Sequence, residues 1–228
     1  MSDYLLPYSM FQDVLFPGKA RGLPEDGQEL SLRRIVSFSP HARLELARVP
    51  LVVFDLETTG LDHRQDWIVE IGAQKLVGDQ VVDEFDTMID PERDMPESAQ
   101  KVTGITPDML VGKPKIREVL PEFFQFIEGC ILVAHNANFD MGFIRHHAGL
   151  LGVEFQWPAF CTLKMARELL PDLKRKNLDT LAEHYGLTFE SRHRSIGDVK
   201  VTVSVLQELM NHEGAHLKTW KDMEPFSS

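Results

Sequence analysis

The sequence predicts an α/β domain built on a mixed β-sheet, and two observations lead to this prediction. Two strand-like segments, residues 68–77 and 80–89, are separated only by Gly78-Asp79, a two-residue turn typical of an antiparallel hairpin. After residue 115, apolar residues recur every three or four positions in several segments, as they do in amphipathic helices. These helical segments alternate with a short apolar strand.

The other elements follow in chain order. The run Leu51-Val52-Val53-Phe54 is rich in β-branched residues and predicts a buried strand. After the hairpin we expect a loop over residues 91–114 with a helical turn near residues 98–102. Further along, the pattern predicts a helix over 116–127 ended by Gly129, a strand at 131–134, and helices over 139–148, 162–170, 178–185 (with Asn177 as N-cap and Gly186 at its end) and 196–210.

The composition is that of an ordinary globular protein. The chain has 228 residues, of which 43% are apolar and 26% charged, and its formal net charge is −11. This length suits one compact domain of about 150–200 residues with appendages, or a tight pair of domains. The acidic balance argues against a protein that coats a long duplex electrostatically, but not against an enzyme that grips one strand end through metal ions.

Several absences in the sequence bear on its compartment. The longest apolar runs, such as residues 51–54 and 131–134, are far shorter than the roughly 18 residues of a membrane span. No basic stretch followed by an apolar segment opens the chain, so we expect no secretory signal and no membrane association. Two cysteines, Cys130 and Cys161, are too few for a disulfide framework or a zinc cage. Together these features predict a cytoplasmic protein.

The pattern divides the chain into three parts. Residues 1–45 contain several prolines and glycines and no sustained apolar period, which indicates an N-terminal extension. Residues 46–213 contain the periodic segments and form the predicted domain. Residues 214–228 are predicted to be a mobile C-terminal tail.

Asp55 and Glu57 are the first candidates for a functional site. Residues i and i+2 of a strand point to the same face, so both carboxylates would project together while Leu56 faces the other way. Two like charges at that spacing repel each other and should raise one pKa, whereas a bound divalent cation would relieve the repulsion. The pair stands at the C-terminal end of a buried strand, where open α/β sheets place ligands.

Two further acids have both a structural and a functional interpretation. Asp140 closely follows the predicted strand 131–134, and its structural interpretation is an acid in the first turn of a helix. Asp198 stands three residues after Ser195, a spacing that resembles a capping box at the start of the last helix. Either acid alone would favour the structural interpretation.

His193 precedes the last predicted helix and lies between Arg192 and Arg194. A single histidine in a loop is most often solvated. The flanking arginines disfavour a role as a metal ligand and suit a neighbouring phosphate. Histidine is also the natural general base at neutral pH.

Taken together, five separated motifs resemble those of the DnaQ-like DEDDh exonucleases, the family of the proofreading ε subunit of bacterial DNA polymerase III. The resemblance covers roughly residues 48–212. It implies an RNase H-like fold, with a five-stranded mixed sheet that has one antiparallel strand and is flanked by helices. The motifs are Phe54-Asp55-Leu56-Glu57-Thr58-Thr59-Gly60-Leu61-Asp62, Val69-Glu70-Ile71-Gly72-Ala73, Gly104-Ile105-Thr106, His135-Asn136-Ala137-Asn138-Phe139-Asp140 and His193-Arg194-(x)₃-Asp198.

The resemblance implies a metal-dependent 3′→5′ exonuclease of the proofreading or repair type. His193 would deprotonate the attacking water, and hydrolysis at a single-stranded DNA end would release a nucleoside 5′-monophosphate. All five catalytic positions are intact, so nothing indicates an inactive member of the family. The acids that would hold two divalent cations, Mg²⁺ or Mn²⁺, are Asp55, Glu57, Asp140 and Asp198.

The same resemblance implies a pocket for the terminal nucleotide. Phe139 also fits the core face of its helix, so packing is its alternative role. Many relatives have histidine where this chain has Thr103, so the resemblance does not extend to a side-chain contact there. The implied substrate-binding residues are Thr58, Thr103, Gly104, Ile105 and Phe139.

Few basic clusters are available to bind a nucleic-acid backbone. The best are Lys174-Arg175-Lys176 and the Arg192 and Arg194 pair, followed by Arg33-Arg34; each could equally be a solvated surface. Such sparse cations predict a footprint of a few nucleotides and modest salt sensitivity. In the N-terminal extension, Gln12-Asp13-Val14-Leu15-Phe16 resembles sliding-clamp binding peptides of the Gln-x-x-Leu-Phe class, with packing on the domain as the alternative.

Two other functions stay open from the sequence alone. An RNA 3′-end trimming nuclease would use the same chemistry, and recognition of the 2′-hydroxyl depends on pocket geometry. A binding module that captures nucleic acid or a polymerase without cleaving would be favoured by loss of a catalytic acid or of His193. None of these residues is lost.

Overall fold

The computed structural model describes residues 34–228. The hypothesis of a clamp-binding peptide at Gln12–Phe16 therefore lies outside the described residues, as does Arg33 of the third basic cluster. Both stay predictions from the sequence.

A five-stranded mixed sheet forms the centre of the protein. Within the described range the strands are β1 (Arg34–Ser37), β2 (Leu51–Thr58), β3 (Ile68–Val77), β4 (Gln80–Met88), β5 (Ile131–Ala134), β6 (Val153–Gln156) and β7 (Ala159–Cys161). The central sheet has the order β4-β3-β2-β5-β7, and β1 pairs with β6 separately. Only β3 runs antiparallel to its neighbours in the central sheet. The predicted sheet with one antiparallel strand is confirmed.

Helices cover both faces of this sheet. Over residues 34–228 they are α1 (Glu97–Thr103), α2 (Pro107–Leu110), α3 (Ile116–Phe126), α4 (Ala137–Leu150), α5 (Thr162–Leu169), α6 (Leu178–Tyr185), α7 (Ser195–Asn211) and α8 (Trp220–Met223), with 3₁₀ turns at Leu46–Arg48 and Glu224–Phe226. None of these helices is both long enough and apolar enough to cross a membrane.

Strand β2 separates two apolar layers because its side chains alternate between faces. Phe54 belongs to the layer that contains α3 and α4, where its ring centroid lies 5.7 Å from that of Phe123. Val53 belongs to the opposite layer, which contains residues of α5, α6 and α7. Asp55 and Glu57 follow Val53 at intervals of two residues. The alternation therefore places both carboxylates on the face that α7 covers.

Several local predictions are confirmed. The two residues Gly78-Asp79 connect β3 to β4, and Gly78 has the positive φ of 59° that such a turn favours. The Asn177 side chain caps α6 by accepting a hydrogen bond from the Thr180 amide at 3.4 Å, and Gly186 ends that helix in the left-handed conformation.

The capping box predicted at the start of α7 is wrong. Ser195 is already the first helical residue, and Arg194 occupies the N-cap position without making a capping hydrogen bond through its side chain. The Ser195 hydroxyl is buried without a hydrogen-bond partner. Asp198 therefore lies in the first turn for a reason other than capping.

The prediction of a mobile C-terminal tail is also wrong. Three apolar side chains between residues 220 and 226 are buried in the α7 layer: Trp220, Met223 and Phe226. The pairing of Thr219 with Glu45 and of Ser227 with Phe160 ties the segment to the rest of the chain. The prediction failed because these apolar residues stand singly among polar ones, so their burial depends on surfaces contributed by distant segments.

Replacing Trp220 with alanine is expected to lower the free energy of unfolding by about 3–5 kcal/mol, the usual cost of truncating a buried aromatic side chain. The ring centroid of Trp220 lies 4.8 Å from that of Phe160, and only 8% of Trp220 is exposed. Urea unfolding followed by circular dichroism measures the change. The matched control is Lys221→Ala, an exposed neighbour whose loss should cost less than about 0.5 kcal/mol. Equal effects of the two variants would contradict the packing.

Candidate active site

Three carboxylates converge beside the C-terminal end of β2. Asp55 and Glu57 come from the strand, and Asp198 reaches them from the first turn of α7. One carboxylate oxygen from each residue lies within 4.8 Å of the other two. Glu57 and Asp198 are buried, and Oδ1 of Asp198 has no hydrogen-bond donor. A buried carboxylate oxygen without a donor fits a hard divalent cation, which prefers oxygen ligands.

Asp140 is the fourth acid and stands close to this group. It lies in the first turn of α4, just after β5, and is 2% exposed. The negative charge of Asp140 raises the pKa of Asp55, second only to burial. Asp140 is not part of the three-carboxylate cluster itself. All four acids named from the sequence therefore lie in one region of the structure, with Asp140 beside the cluster of the other three.

The local electrostatics oppose ionisation of these acids. Burial, followed by the charges of Asp140, Glu57 and Asp198, raises the pKa of Asp55 well above its usual range. Burial, followed by the charges of Asp198 and Glu70, raises the pKa of Glu57 to about 8. A site of this kind holds protons at neutral pH unless a cation replaces them. The acid cluster is therefore suited to divalent metal binding.

Arg192 partly compensates the negative charge. Its guanidinium donates hydrogen bonds to Oδ2 of Asp198 and to both carboxylate oxygens of Asp179, at 2.7 and 3.0 Å in the latter pair. This contact lowers the pKa of Asp179. The sequence interpretation of Arg192 as a phosphate neighbour did not foresee that two carboxylates engage it.

His193 lies on an exposed, tightly constrained loop just before α7. Its φ of 61° is left-handed, a conformation that costs a residue with a side chain about 1–2 kcal/mol. The Ser191 carbonyl packs closely against Gly197, and a Cβ at position 197 would clash with it. A Cβ at Gly72 would lie 2.5 Å from the Ile196 amide nitrogen, so β3 also packs directly against the start of α7. Such strain persists where surrounding structure fixes it, often at functional sites.

Glu70 is the residue that fixes the start of α7, and the sequence interpretation assigned it no role. Its carboxylate is fully buried and accepts hydrogen bonds from the Arg194 Nε at 3.1 and 3.3 Å and from the Ser195 amide at 2.9 Å. Strand register pairs Glu70 directly with Glu57. A charged side chain inside a buried strand needs a partner. The position of Glu70 in the predicted strand 68–77 was therefore the sequence signal that could have indicated its structural role.

Glu70→Gln is expected to lower the free energy of unfolding by about 1.5–3 kcal/mol, because it removes the charge that strengthens the hydrogen bonds from the half-buried Arg194 guanidinium. The control is Glu190→Gln, which breaks an exposed ion pair with Lys200 of α7 and should cost less than about 1 kcal/mol. Urea unfolding of both variants measures the difference. A stability loss no larger than that of the control would show that the Glu70–Arg194 pair does not anchor α7.

His135 is a second residue that the sequence interpretation named only as part of a motif. Its Nδ1 lies 2.9 Å from the Thr162 hydroxyl, and its ring lines the cavity beside the carboxylates. Burial, and then the nearby Arg192 charge, lowers the pKa of His135 to about 4. His135 is therefore a neutral hydrogen-bonding group at physiological pH.

Two of the predicted substrate-binding residues lie in β2 and α4. The Thr58 hydroxyl is buried and donates to the Gly60 carbonyl at 2.6 Å, which shapes the turn after β2. Phe139 is partly buried, and its ring centroid lies 5.0 Å from that of Phe143. The packing alternative for Phe139 therefore holds, and its contact with a nucleotide stays a prediction.

The other three predicted substrate-binding residues lie at the C-terminal end of α1 and directly after it. Thr103 uses its hydroxyl internally, donating to the Ala99 carbonyl at 3.0 Å and accepting from the Ile105 amide at 3.1 Å. The Ile105 side chain is fully buried, whereas Gly104 is exposed with a φ of 69°. These positions are suited to a backbone contact at Gly104, and a substrate-binding role stays a prediction.

Comparison with known proteins identifies the family. A family model described as Exonuclease matches residues 52–206. The ε subunit of DNA polymerase III from Aquifex aeolicus is 38% identical over 163 residues, which cover 69% of this chain and 81% of that one. A PolC-type DNA polymerase III from Clostridium perfringens is 44% identical over 156 residues, which cover 68% of this chain but 11% of that one. The chain thus spans about a tenth of the length of its PolC-type relatives.

Solved structures show the same architecture. Exonuclease X, determined in complex with 5′ overhanging duplex DNA, is 26% identical with a TM-score of 0.64 and covers 77% of this chain and 99% of its own. Exonuclease I shares the fold at 17% identity and a TM-score of 0.67, over 75% of this chain and 42% of its own. These matches confirm the RNase H-like fold. Because the family model covers most of the domain, the chain belongs to the exonuclease family, which confirms the resemblance found in its five motifs and makes it a nuclease.

Proposed function

We propose that this protein is a metal-dependent 3′→5′ exonuclease that hydrolyses the terminal phosphodiester of single-stranded DNA and releases nucleoside 5′-monophosphates. The observation that carries the proposal is the convergence of Asp55, Glu57 and Asp198 within 4.8 Å, with a buried Asp198 oxygen that has no donor. Chemistry on a phosphodiester needs charge neutralisation at this type of site.

Asp55, Glu57, Asp140 and Asp198 would hold two divalent cations, Mg²⁺ or Mn²⁺. Cations bound there supply neutralisation of the phosphodiester charge and activation of water. His193, exposed on its strained loop beside Asp198, would accept the proton of the attacking water. The new bond joins the water oxygen to phosphorus, and the bond from phosphorus to the 3′-oxygen of the shortened strand breaks.

DNA is the proposed substrate because of what the relatives are named. The A. aeolicus relative is a DNA polymerase III subunit, and the structure of Exonuclease X contains DNA. The same names support work beside a replicative polymerase, in proofreading or repair. An association of this chain with a polymerase or a sliding clamp is part of the proposal.

Incubation of end-labelled single-stranded DNA and RNA of equal sequence with Mg²⁺ or Mn²⁺ tests the proposal. We expect stepwise shortening from the 3′ end, release of mononucleotides, faster cleavage of DNA, and no reaction in EDTA. Faster cleavage of RNA would favour the RNA-trimming alternative. No shortening of either strand with either metal would contradict the proposed activity and favour a binding module.

A further inference from the structure

A cavity of about 880 Å³ opens beside the carboxylate cluster. Asp55 and Asp198 contribute to its lining. Four cations also line it, one from the last turn of α5 and three from the connection between α5 and α6. We name these cations the basic wall: Arg167, Lys174, Arg175 and Lys176. The cavity volume is at the upper end of the roughly 300–1,000 Å³ typical of ligand pockets. The site thus extends well beyond the carboxylates.

The basic wall is the part of this site whose positive charge is uncompensated. Arg167, Lys174 and Arg175 are exposed, and within residues 34–228 none of them forms an ion pair. By contrast, Arg192 and Arg194 are both engaged by carboxylates. In a chain with a net charge of −11, unpaired cations beside an acidic cluster favour an anionic ligand that spans both.

Local structure holds the basic wall in place. Arg167 lies in the last turn of α5, where the helix dipole favours a cation. The connection to α6 is fixed at its ends by the buried side chains of Leu170 and Leu178, and the Leu173 amide donates to the Leu170 carbonyl at 3.1 Å. The cations therefore project from an ordered segment.

The lining also indicates which part of a nucleic acid it would contact. Proteins that hold single strands through their bases stack them on aromatic side chains. In the described part of the chain, the cavity lining contains no phenylalanine, tyrosine or tryptophan, and its apolar members are Leu163 and Leu178. The lining is therefore better suited to contacts with phosphates than to contacts with bases.

We propose that the basic wall binds the phosphates of the strand on the 5′ side of the scissile phosphodiester. The inference rests on the proposed function, because removal of a 3′-terminal nucleotide leaves the rest of the strand on that side. The strand would reach the carboxylates along the connection between α5 and α6. Lys174-Arg175-Lys176, which the sequence alone could not distinguish from a solvated surface, acquires a role in substrate binding.

The test compares the wild-type protein with the double variant Lys174→Gln/Arg175→Gln. Affinity for a fluorescent single-stranded DNA with a phosphorothioate 3′ end is measured by anisotropy between about 50 and 200 mM salt. Cleavage of an oligonucleotide is compared with cleavage of a p-nitrophenyl ester of thymidine 5′-monophosphate, which is too short to reach past the scissile bond. The control, Lys218→Gln/Lys221→Gln, removes two exposed lysines that do not line the cavity.

We expect the wall variant to bind at least about tenfold more weakly at low salt, with a log–log salt slope that is less steep by about 1.4, since each phosphate contact to a single strand contributes about 0.7. The ratio of kcat/KM for the oligonucleotide to that for the ester should fall about tenfold. The control should keep the wild-type slope and ratio.

An unchanged slope and ratio in the wall variant would overturn the inference, as would an equal loss in the control. These outcomes are separable from failure of the proposed function. If the proposed function failed, the wild-type protein itself would cleave neither the oligonucleotide nor the ester with either metal.

Discussion

Asp55→Asn is expected to reduce kcat for strand cleavage by at least roughly 10³-fold while the protein stays folded. The substitution keeps the size of the side chain but removes a charge at the centre of the four acids. It also relieves repulsion among buried carboxylates, so the melting temperature of the metal-free variant should rise above that of the wild type. Gel assays of strand shortening and differential scanning calorimetry measure the two effects.

Mg²⁺ provides an internal check on the Asp55→Asn result. Mg²⁺ should raise the melting temperature of the wild type and have a much smaller effect on the variant, because a ligand stabilises only the state that binds it. The matched control is Asp83→Asn, an exposed acid of β4, which should leave both cleavage and the Mg²⁺ effect unchanged. Wild-type cleavage by Asp55→Asn would remove Asp55 from the proposed metal site.

The same carboxylates should make the metal-free protein sensitive to pH. Glu57 has a pKa of about 8 in the folded state and an ordinary value of 4.5. Between these values the folded state holds more protons than the unfolded state, so the Glu57 contribution to the free energy of unfolding falls as pH rises. A bound divalent cation favours the charged form, so saturating Mg²⁺ should flatten this decline.

His193→Ala is expected to reduce kcat about 10²–10⁴-fold, the range typical of a general base, with little change in metal affinity. His193 is exposed and stands outside the carboxylate cluster, so its removal should leave Mn²⁺ binding, measured by calorimetry, near the wild-type level. Added imidazole should restore part of the activity if the lost function is proton transfer.

The control for His193 is His216→Ala, which removes another exposed histidine and should not alter cleavage. A large loss of Mn²⁺ affinity in His193→Ala would instead make His193 a metal ligand.

A second variant, His193→Gly, separates the loss of the imidazole from the relief of backbone strain. It should lose activity similarly but gain stability, because glycine adopts a φ of 61° without steric cost.

Much of the fold could be predicted because its signals are local. The hairpin at Gly78-Asp79, the capped helix α6 and the helical spacing in α7 each depend on residues within a few positions of one another. The short strands β1, β6 and β7 were not predicted, and β1 lies within the predicted N-terminal extension. Their three or four residues carry too little periodicity to distinguish them from loop.

The sequence by itself determined the family, the sheet and the acids that the structure brings together, because motif identity and the alternation of β2 depend on neighbouring residues. Only the tertiary structure decided which charges are compensated. Glu70 and Arg194 are separated by 124 positions, yet they form an ion pair whose carboxylate is fully buried. The basic wall, by contrast, has no ion-pair partner among residues 34–228. Buried charges require partners wherever the chain brings them, and no local pattern records where that is.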